Sequence, residues 1–202
     1  MIIDISPSLK GLFYFLLFNV KINYMFILIY FALVLAIILA LFVAVSFVLF
    51  FIYKVPYVPI SSQDIKHLFA EIKLDSDKIL YDLGCGDGRV MLAAYKKYQI
   101  KGIGFEINPF VFWLAKIRTF FYRQKIHIHC KNLFKQDFKN ADYFFLYLIP
   151  ELANEVSNKL LSEAKPNTLI ISYKFPLPKL NLIKKLEFKN IFSKSNFFIY
   201  SL

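Results

Sequence analysis

The residues best suited to chemistry lie in one short stretch, Tyr81-Asp82-Leu83-Gly84-Cys85-Gly86-Asp87-Gly88-Arg89. It follows a β-type apolar run, Ile79-Leu80-Tyr81, and leads into the helical pattern Val90-Met91-Leu92-Ala93-Ala94. Glycines at alternate positions let backbone N–H groups approach a ligand that any Cβ would obstruct. The acid ahead of the first glycine wants a cationic or hydrogen-bond-donating group. Together these features predict a nucleoside-cofactor loop at the mouth of an α/β sheet. The spacing Gly84, Gly86, Gly88 brings the third glycine one residue too early for the G-x-G-x-x-G dinucleotide fingerprint. Asp82 would also repel a pyrophosphate. No Gly-Lys-Ser/Thr follows, which excludes a P-loop.

A second acid fits the same crevice. Lys101–Glu106 reads as the next strand, with Glu106 at its carboxyl end, 18 residues after Gly88. A carboxylate at roughly 20 residues grips ribose hydroxyls in doubly wound sheets.

The elements that must position these groups alternate. A helix opens at Ser62 or Asp64 and runs to about Lys73. Strands are predicted at 79–83, 101–106, 126–130, 142–148 and 168–173, with helices at 88–98, 109–124 and 151–164. Pro150 and Pro166 bracket the last helix. Such alternation argues for a parallel, doubly wound sheet. After Pro176 and Pro178 the rhythm changes: Leu186–Phe192 and Phe197–Leu202 read as strands joined by a Ser193-Lys194-Ser195-Asn196 turn.

The chain has 202 residues and is 58% hydrophobic, and the excess is local. Ile22–Tyr53 is 32 residues without a charge, bracketed by Lys21 and Lys54. At about 1.5 Å rise per residue it exceeds the roughly 30 Å hydrocarbon core, so one transmembrane helix is predicted over 22–53. Nothing in the run makes the turn that two spans need. Leu12–Val20 is too short to span and suits the interface, within an amino-terminal segment 1–21. Ala44-Val45-Ser46 resembles a signal-peptidase site, but the run is too long for a signal h-region. Lys10 and Lys21 precede the span, and Lys54, Lys66 and Lys73 follow it within about 20 residues. That bias, with the need for an intracellular cofactor, predicts a single-pass membrane protein with a cytoplasmic catalytic domain. A lead-in segment, 54–60, joins it to the domain, 61–202.

Residues 61–202 carry 22 Lys and Arg against 13 Asp and Glu, a net of +9. The basic residues are dispersed, which favours a membrane surface or solvated faces over nucleic acid. Cys85 and Cys130 read as reduced thiols. His127 and His129 share one strand face and Cys130 the other, with no fourth ligand at metal spacing, so no metal is expected.

The loop at 81–89 resembles motif I of the class I S-adenosylmethionine-dependent methyltransferases. In that family the acid and glycines hold the amino-acid end of the cofactor, whose ammonium a carboxylate suits. The resemblance implies an α/β, Rossmann-like, seven-stranded, mostly parallel sheet. Here it is a minimal version, because only Lys179–Lys185 is available for the helix between the fifth and sixth strands. It implies S-adenosylmethionine as cofactor and S-adenosylhomocysteine as product. Asp82, Gly84, Cys85, Gly86 and Gly88 should take the methionine end, Glu106 the ribose, and Ile107, Asn132 and Leu133 the adenine. Arg89 should pair on the helix surface, and Asp137 is structural.

The fourth strand ends in Phe145-Leu146-Tyr147-Leu148-Ile149-Pro150-Glu151 and lacks the Asn/Asp-Pro-Pro-Tyr/Phe signature of adenine and glutamine N-methylation. Val55-Pro56-Tyr57-Val58-Pro59, Asn132-Leu133-Phe134-Lys135-Gln136-Asp137 and Ser172-Tyr173-Lys174-Phe175-Pro176-Leu177-Pro178 resemble a small family of protein-lysine methyltransferases. Its members include membrane-anchored enzymes acting on the ATP synthase c-subunit and the adenine nucleotide translocase, and archaeal enzymes of broad specificity. The resemblance covers about residues 54–178. Ile60 departs from the usual small polar residue, and nothing after Leu180 matches. It implies a membrane-associated protein substrate, with Tyr57, Tyr147 and Tyr173 forming an aromatic pocket for a lysine amine and Glu151 orienting it. A lipid or quinone acceptor suits the same apolar neighbourhood. A non-catalytic tethered protein is the remaining alternative, against which the presence of both Asp82 and Glu106 argues.

Overall fold

The structure, a computed structural model, describes residues 7–53, 57–189 and 194–202. Two compact units emerge, split between Ile52 and Tyr53. The first is helix α1 (Pro7–Tyr53). Its apolar window, Asn19–Val45, is long enough to cross a membrane, and none of it is buried by protein. The helix runs through Lys21 without interruption, so the segment boundary expected there is not a helix end. Residues 1–6 of that segment, and 54–56 of the lead-in segment, lie outside the described residues.

The second unit contains α2 (Ser62–Glu71), β1 (Ile79–Leu83), α3 (Arg89–Tyr98), β2 (Lys101–Glu106), α4 (Pro109–Thr119), β3 (Ile126–Cys130), β4 (Tyr143–Leu146), α5 (Pro150–Glu163), β5 (Leu169–Tyr173), β6 (Leu182–Lys189) and β7 (Lys194–Ser201). Short 3₁₀ turns follow α4 (Phe120–Tyr122) and β3 (Leu133–Lys135). The seven strands form one sheet in the order β3-β2-β1-β4-β5-β7-β6. Strands β1–β5 pair in parallel, and β7 runs antiparallel to both β5 and β6.

The central strands are buried along nearly their whole length, as parallel strands covered on both faces must be. One core joins the sheet to Leu68 and Phe69 of α2, Met91 and Ala94 of α3 and Ala115 of α4. The other joins it to Ala153, Val156 and Leu160 of α5. The second face has no helix between β5 and β6. Leu177 and Leu180 fill that place as buried residues of an irregular segment, and the Leu177 N–H donates to the Tyr200 hydroxyl at 2.8 Å.

Local chemistry sets the helix starts. Ser61 caps α2 by accepting the Asp64 N–H at 3.0 Å. Asn108 caps α4 by accepting from Phe110 and Val111, with Pro109 in the first turn. The terminal hairpin corrects the sequence expectation. β6 begins at Leu182 rather than Leu186, and Lys194-Ser195-Asn196 belong to β7 instead of a turn. Their polar side chains have strand partners: Lys194 pairs with Glu187 at 2.9 Å, and Ser195 meets the Tyr173 hydroxyl at 3.2 Å. The connection at 190–193 lies outside the described residues.

Gly104 is fixed by packing. A Cβ there would lie 2.5 Å from Met91 Cε, 2.8 Å from Cys85 Sγ and 2.9 Å from Cys85 Cβ. Met91 can swing aside, but Cys85 is held by the loop that carries it. Gly104→Ala is expected to destabilise the fold by about 1–3 kcal/mol, the scale of core overpacking, measured by urea unfolding. An unchanged midpoint would show that the loop yields freely.

Candidate active site

The strand order reverses at β1, whose neighbours β2 and β4 lead the chain away in opposite directions. Ligands of open α/β sheets bind outside the carboxyl ends of the strands at such a switch point. Asp82 and Glu106 stand at that edge on the paired strands β1 and β2.

Between β1 and α3 the chain turns through three left-handed glycines, with φ of 78° at Gly84, 56° at Gly86 and 74° at Gly88. L side chains rarely adopt that region. Each glycine is also crowded, by Leu148 at Gly84, Tyr57 at Gly86 and Thr119 at Gly88. The loop is tied to β2 from both sides. The Gly84 and Cys85 N–H groups donate to the Phe105 carbonyl at 2.9 and 3.0 Å. The Gly86 N–H donates to Glu106 Oε2 at 3.0 Å, and the Asn108 N–H to Glu106 Oε1 at 2.8 Å.

Asp82 is 1% exposed, and its Oδ2 has no hydrogen-bond partner among the described residues. Burial, reinforced by the charges of Glu106 and Asp87, pushes its carboxyl well above the usual range. Burial likewise raises Glu106, against the pull of its backbone donors. A buried acceptor without a donor is costly. An orphan carboxylate oxygen on the strand next to Glu106 suits a cationic nucleoside ligand, and the ammonium and ribose hydroxyls of S-adenosylmethionine are donors that match these two acceptors.

The remaining predicted residues divide. Tyr57 lies against Gly86, and its hydroxyl is near enough to Asp87 to help lower that carboxyl. Tyr147 meets Tyr173 edge-on at 4.7 Å and stacks with Phe175 at 6.4 Å. The Tyr173 hydroxyl is committed elsewhere, donating to Asp64 Oδ2 at 2.8 Å, so this residue offers its ring. Asn132 spends its side-chain carbonyl on the Phe134 N–H at 2.8 Å. Ile107 is half-buried at the start of the α4 loop. Leu133 packs in the core with Phe105 and Leu83. The Cys85 side chain points into the sheet at Gly104, so only its backbone faces outward, and burial followed by the Asp82 and Glu106 charges keeps its thiol protonated. Glu151 is exposed in the first turn of α5. Among the described residues no cluster of His, Cys, Asp and Glu could hold a metal.

Sequence reading missed the cluster around Asp87. This buried carboxylate pairs with Arg89 and Arg118, each at 2.7 Å. Arg89 Nη1 also donates to the Ile60 carbonyl at 2.8 Å, tying the lead-in segment to the glycine loop. Burial opposes the Asp87 charge, but the two guanidiniums win and lower its pKa. The Asp-Gly-Arg adjacency hints at the Arg89 pair, whereas Arg118 has no local signature.

The sheet order, the antiparallel β7, the glycine loop after β1 and the acid ending β2 together define a class I S-adenosylmethionine-dependent methyltransferase. An RNA methyltransferase from Salinibacter ruber, solved with S-adenosyl-L-homocysteine, shares the fold with a TM-score of 0.65 at 22% identity, covering 71% of this chain and 93% of that one. Residues 82–184 match the ANTKMT methyltransferase domain, and the chain belongs to that family. A protein-lysine N-methyltransferase of Saccharolobus islandicus is 32% identical over 126 residues, 61% of this chain and 78% of that one. The lysine N-methyltransferase of the ATP synthase c-subunit from Xenopus laevis is 27% identical, and an adenine nucleotide translocase lysine N-methyltransferase of Mus musculus 28%. The chain spans about half the length of these two vertebrate relatives, 55% of each.

The raised pKa of Asp82 gives the site a pH signature. An acid raised in the folded state stabilises the fold below its ordinary range, and that contribution declines as pH climbs towards the raised value. A cationic ligand favours the ionised form. Affinity for S-adenosylmethionine should therefore rise with pH across that window, and binding should expel a proton. Calorimetry in buffers of differing ionisation enthalpy reads this directly. Heats independent of the buffer would contradict the assignment, and Asp82→Asn should remove the proton release.

Proposed function

We propose that this protein transfers a methyl group from S-adenosylmethionine to the side-chain amine of a lysine in a membrane-associated protein. Bound S-adenosylmethionine supplies an activated methyl on a sulfonium, so the protein's work is chiefly alignment. Asp82 takes the ammonium of the methionine moiety, with the Gly84–Gly88 backbone around it. Glu106 orders the loop and takes ribose hydroxyls on its free lone pairs. Ile107, Asn132 and Leu133 border the adenine.

The observation that carries the acceptor is the aromatic corner of Tyr147 and Tyr173. The Lys174 ammonium already lies 5.4 Å from one ring centroid and 5.5 Å from the other, so these faces hold an amine. Leu148, the residue after Tyr147, packs at Gly84, which connects the corner to the cofactor loop. An acceptor lysine must shed a proton before attack. Desolvation among aromatic rings lowers its pKa, and Glu151 accepts the proton through water. Tyr57, packed at Gly86, walls the loop.

α1 supplies the membrane reading. As a single span it holds the domain, 61–202, at the cytoplasmic surface and raises the effective concentration of a substrate in the same bilayer. The relatives named for lysines of the ATP synthase c-subunit and of the adenine nucleotide translocase support a protein acceptor.

Membranes containing the full chain, incubated with isotopically labelled methyl donor, should yield label in methyl-lysine after protein hydrolysis. Tyr147→Ala should slow that transfer by about tenfold, a cation–π contribution on the order of 1–2 kcal/mol, with cofactor affinity intact. Label confined to the lipid extract would refute the lysine acceptor.

A further inference from the structure

α4 has apolar residues on two faces, where a surface helix ordinarily has them on one. Val111, Ala115 and Thr119 are buried against the domain. Trp113, Leu114, Ile117, Phe120 and Phe121 recur at i, i+1, i+4, i+7 and i+8, the spacing of a single stripe along α4 and the turn after it. All five lie open, from 51% exposed at Leu114 to 88% at Phe121. Among the described residues, other exposed large apolar side chains in this unit occur singly or in pairs, such as Leu161 on α5 and Leu182-Ile183 on β6. A contiguous apolar stripe on a folded domain marks an interaction surface.

The surrounding charge indicates the partner. Between Glu106 and Asp137 the chain has no Asp or Glu, but carries Lys116, Arg118, Arg123, Lys125, Lys131 and Lys135. Arg118 turns to Asp87, and the Arg123 guanidinium lies 5.1 Å over the Phe120 ring. Trp, Phe and Leu rimmed by Lys and Arg is the composition of a helix lying in a membrane interface. A second copy would bring the same basic rim against itself, placing like charges together. An anionic lipid surface matches both the stripe and its rim.

We propose that α4 and the Phe120–Tyr122 turn dock the domain on an anionic bilayer, with the Trp113–Phe121 stripe seated between headgroups and acyl chains. This rests on the reading of α1 as a membrane span: only a few residues separate its end at Tyr53 from Ile60, the first core residue of the domain. At that tether length even weak insertion is multiplied by effective concentration. α4 begins three residues after Glu106, and its Arg118 holds Asp87, so docking through this helix sets how the glycine loop is presented to lysines at the membrane.

Trp113 is the sole tryptophan of the chain, so its fluorescence reports this face alone. The full chain is reconstituted in phosphatidylcholine–phosphatidylglycerol vesicles carrying lipids brominated along the acyl chain. The expected result is blue-shifted emission, lost to bromine quenching and shielded from aqueous acrylamide, with less quenching when phosphatidylglycerol is left out. Ile117→Ser combined with Phe121→Ser should relieve the quenching with the far-UV circular dichroism unchanged. Emission typical of exposed indole, quenched by acrylamide and indifferent to bromine, would overturn the proposal. So would blue-shifted emission that ignores bromine and depends on protein concentration, which assigns the stripe to a second copy. Alkaline carbonate extraction of the same vesicles tests α1 separately: a chain that washes off refutes the span, while a retained chain with unquenched Trp113 refutes only the α4 docking.

Discussion

Everything at the mouth of this sheet depends on the Glu106 carboxylate. One oxygen receives the Gly86 N–H and the other the Asn108 N–H, so a single side chain fixes the loop after β1 and the start of α4. Its partners are backbone donors, and burial still raises its pKa. Asp82 stands on the neighbouring strand with one oxygen unpartnered and its pKa raised further by the Glu106 charge. Two desolvated acids side by side are unfavourable in the free protein. In the proposed function, a cationic ligand bearing hydroxyl groups would offset that cost.

The surrounding structure keeps that arrangement in place. Gly104 gives Cys85 room to turn into the sheet, which leaves the loop backbone facing the crevice. Asp87, Arg89, Arg118 and the Ile60 carbonyl lock the loop to α4 and to the lead-in segment. Tyr57 covers Gly86 from that same segment. The residues just ahead of the domain therefore form part of the site's wall.

Much of this was legible in the sequence because it rests on local patterns. The bounds of β1, β2 and β3 follow from apolar runs ended by glycine or polar residues, and the glycine spacing with Asp82 identifies the loop. Positions were less legible where tertiary partners decide. Ser195 and Asn196 look like turn residues, yet Ser195 finds the Tyr173 hydroxyl and both pair with β6. Arg118 lies 31 residues from Asp87, beyond any motif. Tyr173 reads as an aromatic pocket residue, and nothing local shows that Asp64 of α2 takes its hydroxyl, a contact that only the folded sheet creates. The sequence also placed Cys85 among cofactor residues by position alone, and its side chain instead fills the space over Gly104.

α1 and the basic, apolar face of α4 carry the proposed work at a membrane, and the proposed cofactor binding rests on the two acids. The most direct measurement is calorimetric titration of S-adenosylmethionine into the purified full chain and into Glu106→Ala. The account predicts binding by the first and a weakening of about 1–3 kcal/mol in the second, the scale of lost hydrogen bonds to a charged group. An unchanged dissociation constant, or no binding by the unaltered chain, would contradict it.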